Sequence, residues 1–252
     1  MNYPKRKIVK GESDAKIVKA IQRALNDAGC GPVEVIGIFG PKTFQGVKLF
    51  QSLHRDRFGN PLVMDGEVGA FTWEALFGPD TVPAISQPTT ELFTQVLQTA
   101  AGELGIMEIP RGSNSGPRIN QYLASVNLGP GFFWCAAFVY WCFNESYKNL
   151  NRNNPVFKTA GCMHHWNKTT VKKITKDEAV NNPGLIKPAH IFIINHGGGK
   201  GHTGIVERVQ GGSIYTIEGN SNTDGSRNGI GVFRLPIPRK INSISAGFIE
   251  YK

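Results

Sequence analysis

The sequence predicts an α+β protein in two parts: a small three-helix module, then a larger module whose helices precede an antiparallel sheet. Three observations carry this expectation. A turn–helix pattern repeats within the first 80 residues. Apolar stripes at helical spacing run through the middle of the chain. After Pro188 the pattern changes to short β-type runs separated by glycine-rich turns.

The N-terminal elements come first. Ile17, Ile21, Ala24 and Leu25 share one helical face. Gly37-Ile38-Phe39-Gly40-Pro41-Lys42-Thr43-Phe44 then aligns with Gly66-Glu67-Val68-Gly69-Ala70-Phe71-Thr72-Trp73. Each copy is a Gly-x-x-Gly turn leading into a helix, with Thr43 and Thr72 as expected N-caps. Phe44, Val47, Phe50 and Leu53 form a stripe, and Phe44, Phe50, Trp73 and Phe77 read as core. The run VPAISQPTT, from Val82 to Thr90, lacks periodicity and reads as a linker. The expected division is 1–80, a linker at 81–90, and 91–252.

The larger module opens with a helix from Glu91 to Leu104. A polar loop from Pro110 to Pro117, a short helix near Arg118 to Val126 and an apolar helix from Cys135 to Tyr147 follow. The β-type runs are Ile191–Ile194, Gly204–Val206, Ile214–Ile217 and Gly231–Phe233.

Composition narrows the function classes. The 252 residues are 40% hydrophobic and 19% charged, a folded composition. The longest apolar run, Phe132 to Phe143, is far short of the roughly 20 residues a membrane helix needs. Lys5, Arg6, Lys7 and Lys10 are not followed by an apolar stretch, so no secretory signal is expected, and the chain reads as made in the cytoplasm. The net charge is +9. It is concentrated beyond residue 80, which favours an anionic partner or envelope. Basic runs with interleaved aromatics and zinc-finger spacings are both missing, which argues against nucleic acid. Cys30, Cys135, Cys142 and Cys162 form no CxxC pair. Cys135 and Cys142 stand about 10 Å apart along a helix, too far for a disulfide.

The candidate chemistry is a cysteine at a helix start and a histidine at a strand start. Free N–H groups at a helix N-terminus favour thiolate, so Cys135 in Trp134-Cys135-Ala136-Ala137-Phe138-Val139 is a candidate nucleophile. A buried structural thiol is the competing reading. His202, in Gly201-His202-Thr203-Gly204-Ile205-Val206, follows a glycine-rich loop, and Glu218-Gly219-Asn220 lies on the facing half of the hairpin. A base with an acid or amide partner is the orienting arrangement of nucleophilic hydrolases. A two-residue turn at Gly211-Gly212 with an unbroken ladder would put Glu218 on the wrong face, so an odd-numbered loop or a bulge is expected. His196 is the rival base. His164-His165 lack a third ligand at metal spacing, and no metal is expected. Asp224 and the polar loop Ser221 to Asn228 offer oxygen ligands for calcium, but lack an Asp-rich ladder.

These motifs resemble two known families. The repeat from Lys16 to Gly78 is similar to the small three-helix peptidoglycan-binding domain of cell-wall hydrolases. Asp65-Gly66 fits that pattern, while Ile36 stands where an acid is usual in the first copy. Residues of about 95–252 resemble the CHAP (cysteine, histidine-dependent amidohydrolase/peptidase) domain, with a papain-like fold. The carriers are the Trp134–Val139, Gly201–Val206 and Glu218–Asn220 segments, together with the loop Gly112–Pro117. The resemblance implies Cys135 as nucleophile, His202 as base and then acid, and Glu218 as orienter. Asn220 is the second candidate for orienter, or a polar support. An oxyanion hole would form at the Cys135 N–H and one neighbour. Trp134, Trp166 and Asn114 are the candidate substrate contacts; Phe132, Phe133, Trp134 and Trp166 suit a groove wall and core packing equally. His190 departs from the family, which more often has Asp after Pro-Gly.

The implied activity is hydrolysis of a peptide-stem amide of peptidoglycan, as amidase or endopeptidase, without a cofactor. The implied setting is an endolysin or antibacterial effector acting at the wall or in the periplasm. A holin-type delivery partner or an immunity protein would accompany a monomer that inserts in no membrane. A non-catalytic wall-binding or virion protein, and a thiol hydrolase of small intracellular amides, are the alternatives.

Overall fold

A computed structural model describes residues 1–222 and 229–252. The chain forms two compact units. One comprises Met1–Ala84 with Val180–Gly184 and Gln210–Gly212, and the other Ile85–Ala179, Leu185–Val209 and Ser213–Lys252.

In the first unit, α1 (Ala15–Asp27), α2 (Pro41–Leu53) and α3 (Ala70–Phe77) pack around a core that includes Ile8, Val18, Ile21, Leu25, Val47, Phe50 and Trp73. Asp14 caps α1, its carboxylate accepting from the Lys16 and Ile17 N–H groups. Thr43 and Thr72 are not N-caps. Gly40 and Gly69 occupy those positions without a side-chain cap, and each threonine sits inside the first turn. Their hydroxyls instead face two buried glutamines. Gln22 Nε2 donates to the Ile38 carbonyl and to Thr43 Oγ1, both at 3.0 Å, and its Oε1 accepts from Gly37 N–H at 2.9 Å. Gln51 Nε2 donates to the Glu67 carbonyl (2.9 Å) and Thr72 Oγ1 (3.2 Å), and its Oε1 accepts from Gly66 N–H at 2.9 Å. The two glutamines thus pin equivalent turns. Only the second copy adds a bond to an acid, Asp65 Oδ1 at 2.8 Å, because Ile36 stands in the first. Gln51→Leu strands the Gly66 N–H and Thr72 hydroxyl. We expect thermal unfolding of the full chain to register a loss of about 1–3 kcal/mol in this unit.

In the second unit, α4 (Glu91–Gly102), α5 (Ile119–Ser125) and α6 (Cys135–Asn149) form the helical layer. Thr90 caps α4 by accepting from Phe93 N–H at 3.1 Å. Helix α6 is buried on nearly all sides because it packs against α4, α5 and the sheet. That explains its unbroken apolar run. α7 (Cys162–Lys168) and α8 (Lys176–Asn181) complete the α-helices among the described residues.

Among the described residues, β1 (Lys172–Thr175), β2 (Ile191–Gly197), β3 (Lys200–Gln210), β4 (Ser213–Ser221), β5 (Gly231–Arg234), β6 (Arg239–Lys240) and β7 (Gly247–Glu250) form one sheet. Its order is β1-β7-β2-β3-β4-β5, with β6 also on β4. The fold is α+β, as the sequence predicts. Residues 172–175 and 247–250 pair as antiparallel strands that the sequence reading did not assign. Ile85, within the expected linker, bridges Val209 through N–H···O bonds of 2.7 and 3.0 Å.

Candidate active site

The Gly129-Pro130-Gly131 turn ends the preceding chain, and α6 starts at Cys135. Its first-turn N–H groups lie beside the thiol, and the Ala136 N–H bonds the Cys135 sulfur. Strand β4 carries Gly219 directly beneath this turn. A Cβ there would lie 2.6 Å from Phe138 Cβ and 2.8 Å from the Trp134 ring. Only glycine lets β4 approach α6 so closely, and that approach brings Cys135 to the His202 side of the sheet.

His202 lies at the start of β3. Its ring is hydrogen-bonded to Cys135 on one side. On the other, Nε2 donates to Glu218 Oε2 at 2.7 Å. Glu218 has room for this because Gly204 lies beneath it; a Cβ on Gly204 would stand 2.8 Å from Glu218 Cγ. The hairpin turn has two residues, Gly211 and Gly212, with φ of 55° and 71°. The expected odd-numbered loop is therefore not what aligns the pair. With that turn, an unbroken ladder would place Glu218 on the opposite face from His202. The observed contact requires an irregularity between turn and site, the other form of the expectation.

Glu218 is fully buried. It accepts from Arg239 Nε (2.6 Å) and Nη2 (2.7 Å), from Thr216 Oγ1 (2.7 Å), and from Ser221 Oγ (3.2 Å). Burial alone would raise its pKa, but the Arg239 fork and His202 outweigh it and hold the carboxyl down at about 2. The sequence reading missed Arg239. It sits in a two-residue strand, and no local pattern distinguishes it from the other basic residues.

The Cys135 thiol is held well below its ordinary value of 9.0, first by its contact with the Cys162 thiol and then, against the effect of burial, by His202. Burial opposes the charged form of His202, yet its bonds to Cys135 and Glu218 push it up to about 10. Both shifts favour the thiolate–imidazolium form of the pair. Because the folded pKa of His202 lies above its ordinary 6.5, its stabilising contribution is complete below about 6.5 and lost as pH rises through about 10. We expect alkylation of Cys135 by iodoacetamide to stay near its maximal rate across neutral pH, with no inflection at the ordinary thiol value of 9.0.

Asn220, with a left-handed φ of 51°, faces elsewhere. Its donor and acceptor surroundings fit an amide whose oxygen accepts from Trp134 N–H at 2.9 Å and whose nitrogen donates to the Gly229 carbonyl at 3.3 Å. Asn114 lies against the same amide at 3.3 Å, and its carbonyl accepts from Gly131 N–H at 3.0 Å. The two asparagines therefore tie the 112–117 loop to the turn before Cys135.

The expected substrate-contact residues separate. The Trp134 ring is fully buried, and its Nε1 donates to Glu108 Oε1 at 3.0 Å, so it is a core residue rather than a substrate-facing one. Trp166 is half-buried one turn along α7 from Cys162, beneath Lys173, whose Nζ is 5.4 Å from the ring. Phe132 and Phe133 are exposed, at 55% and 66%.

His196 is exposed, at the end of β2 that pairs with the start of β3. His165 Nε2 bonds Tyr251 OH at 2.8 Å, and burial lowers its pKa to about 4. His190 is buried, with Nδ1 accepting from Lys187 N–H at 3.3 Å, and Ala189 before it takes a φ of 69°. Among the described residues, no group of three His, Cys, Asp or Glu side chains could hold a metal, and no helix is long and apolar enough to cross a membrane. The weighed calcium position, Asp224, lies outside the described residues.

Comparison with known proteins gives two family matches. Residues 127–220 match the CHAP domain, and residues 14–76 match the putative peptidoglycan binding domain. No match was found among curated proteins or among solved structures. The first segment contains Cys135, His202, Glu218 and Asn220, while Asn114 and Arg239 fall outside it. The chain thus carries a match to the CHAP domain behind a match to a putative peptidoglycan binding domain, a pairing consistent with an endolysin-like cell-wall hydrolase.

Proposed function

We propose that this chain hydrolyses an amide bond in the peptide stem of peptidoglycan through a Cys135 thioester. The observation that carries the proposal is the continuous line of contacts from Cys135 through His202 to a buried, ionised Glu218. A thiolate at a helix N-terminus next to an oriented imidazolium is the arrangement acyl transfer needs.

In this reading the Cys135 thiolate attacks the amide carbonyl. Charge on the tetrahedral oxygen is met by the Cys135 N–H and one neighbouring donor. The His202 imidazolium passes its proton to the departing amine, and the C–N bond breaks. His202, now neutral, takes a proton from water, which attacks the thioester and releases the acid and the thiolate. Glu218 stays ionised throughout and keeps the His202 Nε2 proton pointed away from the sulfur. Asn220 and Asn114 act as supports for the loop and turn, and Arg239 holds Glu218. Phe132 and Phe133 are the exposed aromatics nearest Cys135 in sequence, and they supply an apolar lip for substrate.

Residues 1–80 serve as the wall-binding module, 81–90 as the connection, and 91–252 as the catalytic module. The protein acts at the wall as a monomer, as an endolysin or a delivered antibacterial effector, with a holin-type or immunity partner respectively.

Digestion of purified sacculi by the full chain, with products read by mass spectrometry, tests the proposal. Release of intact stem peptides from muramic acid identifies an amidase. Shortened or uncrosslinked stems identify an endopeptidase. Sacculi of several wall chemotypes left undigested would overturn the reading.

A further inference from the structure

One close neighbour of the nucleophile takes part in no step of the mechanism above. Cys162 opens α7, and its Sγ lies 3.5 Å from Cys135 Sγ. The two sulfurs come from different helices, 27 residues apart, and both cysteines are free and buried, at 5% and 4% exposure. A disulfide needs a sulfur separation of about 2.05 Å, so the two sulfurs have about 1.5 Å to close. Cys162 is held in this place from behind: a Cβ on Gly201, the residue before His202, would lie 3.2 Å from Cys162 Cβ.

We propose that Cys135 and Cys162 are a modification site, closing to a reversible disulfide that switches the enzyme off in the presence of a low-molecular-weight disulfide. The loss of activity rests on the reading of Cys135 as nucleophile; the bond itself does not.

The chemistry is asymmetric in the required sense. Cys135 carries the thiolate, whereas the neighbouring Cys135 sulfur, together with burial, keeps Cys162 protonated, its pKa raised well above the ordinary 9.0. Cys135 therefore attacks first. Its sulfur bonds one sulfur of the small disulfide, whose S–S bond breaks and releases one thiolate. Cys162 then gives up its proton and attacks the Cys135 sulfur, and the second small thiolate departs. In sum, two protein thiols are oxidised to one disulfide and one small disulfide is reduced to two thiols. A dithiol reductant reverses the sequence.

The test incubates the full-length protein with oxidised glutathione, then measures sacculus clearing and maps peptides without reduction. The expected result is a glutathione-free linkage between the Cys135 and Cys162 peptides, an activity loss of at least about tenfold, and recovery with dithiothreitol. In Cys162→Ser, or Cys162→Ala should serine unfold the site, the reaction is expected to stop with glutathione retained on Cys135. A wild-type protein that also retains glutathione on Cys135 overturns the proposal, as does a formed linkage with unchanged clearing. Cys135→Ser assayed in reductant separates the two readings. If it is inactive while wild type fails to form the linkage, only the disulfide is overturned. If it clears sacculi as fast as wild type, the nucleophile reading fails and the switch fails with it.

Discussion

Cys135→Ser is expected to lower sacculus hydrolysis by at least about 1,000-fold while leaving the fold intact. Serine is nearly isosteric and fits the first turn of α6. What it lacks is acidity. The Cys135 environment holds a thiol ionised at neutral pH, but no contact at this site brings a hydroxyl near that range. Circular dichroism and thermal unfolding should match wild type, so that loss of product peaks reports chemistry alone. A variant that still digests sacculi at wild-type rate would move the nucleophile elsewhere.

The second large effect concerns Arg239 and Glu218. Arg239→Met takes the guanidinium fork from a fully buried carboxylate and leaves it His202 as a charged partner. Breaking such a pair from one side costs about 3–5 kcal/mol. For a chain of this size that is a melting-point drop of roughly 10 °C. Arg239→Lys keeps the charge but not the two-pronged geometry and should fall between. Glu218→Gln removes the ion that orients His202 and is expected to reduce turnover by about 100- to 10,000-fold.

The same pair sets acid stability. The folded pKa of Glu218, about 2, lies below its ordinary 4.5. Its contribution is therefore present above about 4.5 and lost as pH falls towards about 2. A pH series of melting points should show this fall in wild type and a flatter profile in Glu218→Gln.

Much of this was legible because local rules govern it. Helical spacing marks α1, α2, α4 and α6. Glycine-bounded β runs mark β2 to β5. The 29-residue offset of the Gly-x-x-Gly turns reveals the repeat. What the offset did not reveal was Gln22 and Gln51, because a glutamine on a helix reads as surface until a turn folds over it. Thr43 and Thr72 were misplaced as caps for a related reason: helix starts are uncertain by a residue or two, and a hydroxyl at the third position serves a different partner. Trp134 reads equally as a substrate contact and as core, because aromatics beside a nucleophile suit both, and only packing decides which.

The sequence by itself determined the α+β class, the position of Cys135 at a helix start, and the presence of His202 and Glu218 on one hairpin. These follow from periodicity and turn chemistry, which act over a few residues. Only the tertiary structure decided which group His202 faces, because a single irregularity in a strand ladder reverses every side chain beyond it. It alone brought Arg239 to Glu218 and Cys162 to Cys135. Those contacts join segments that no local rule connects, and they form only when burial of α6 and closure of the sheet place the segments side by side.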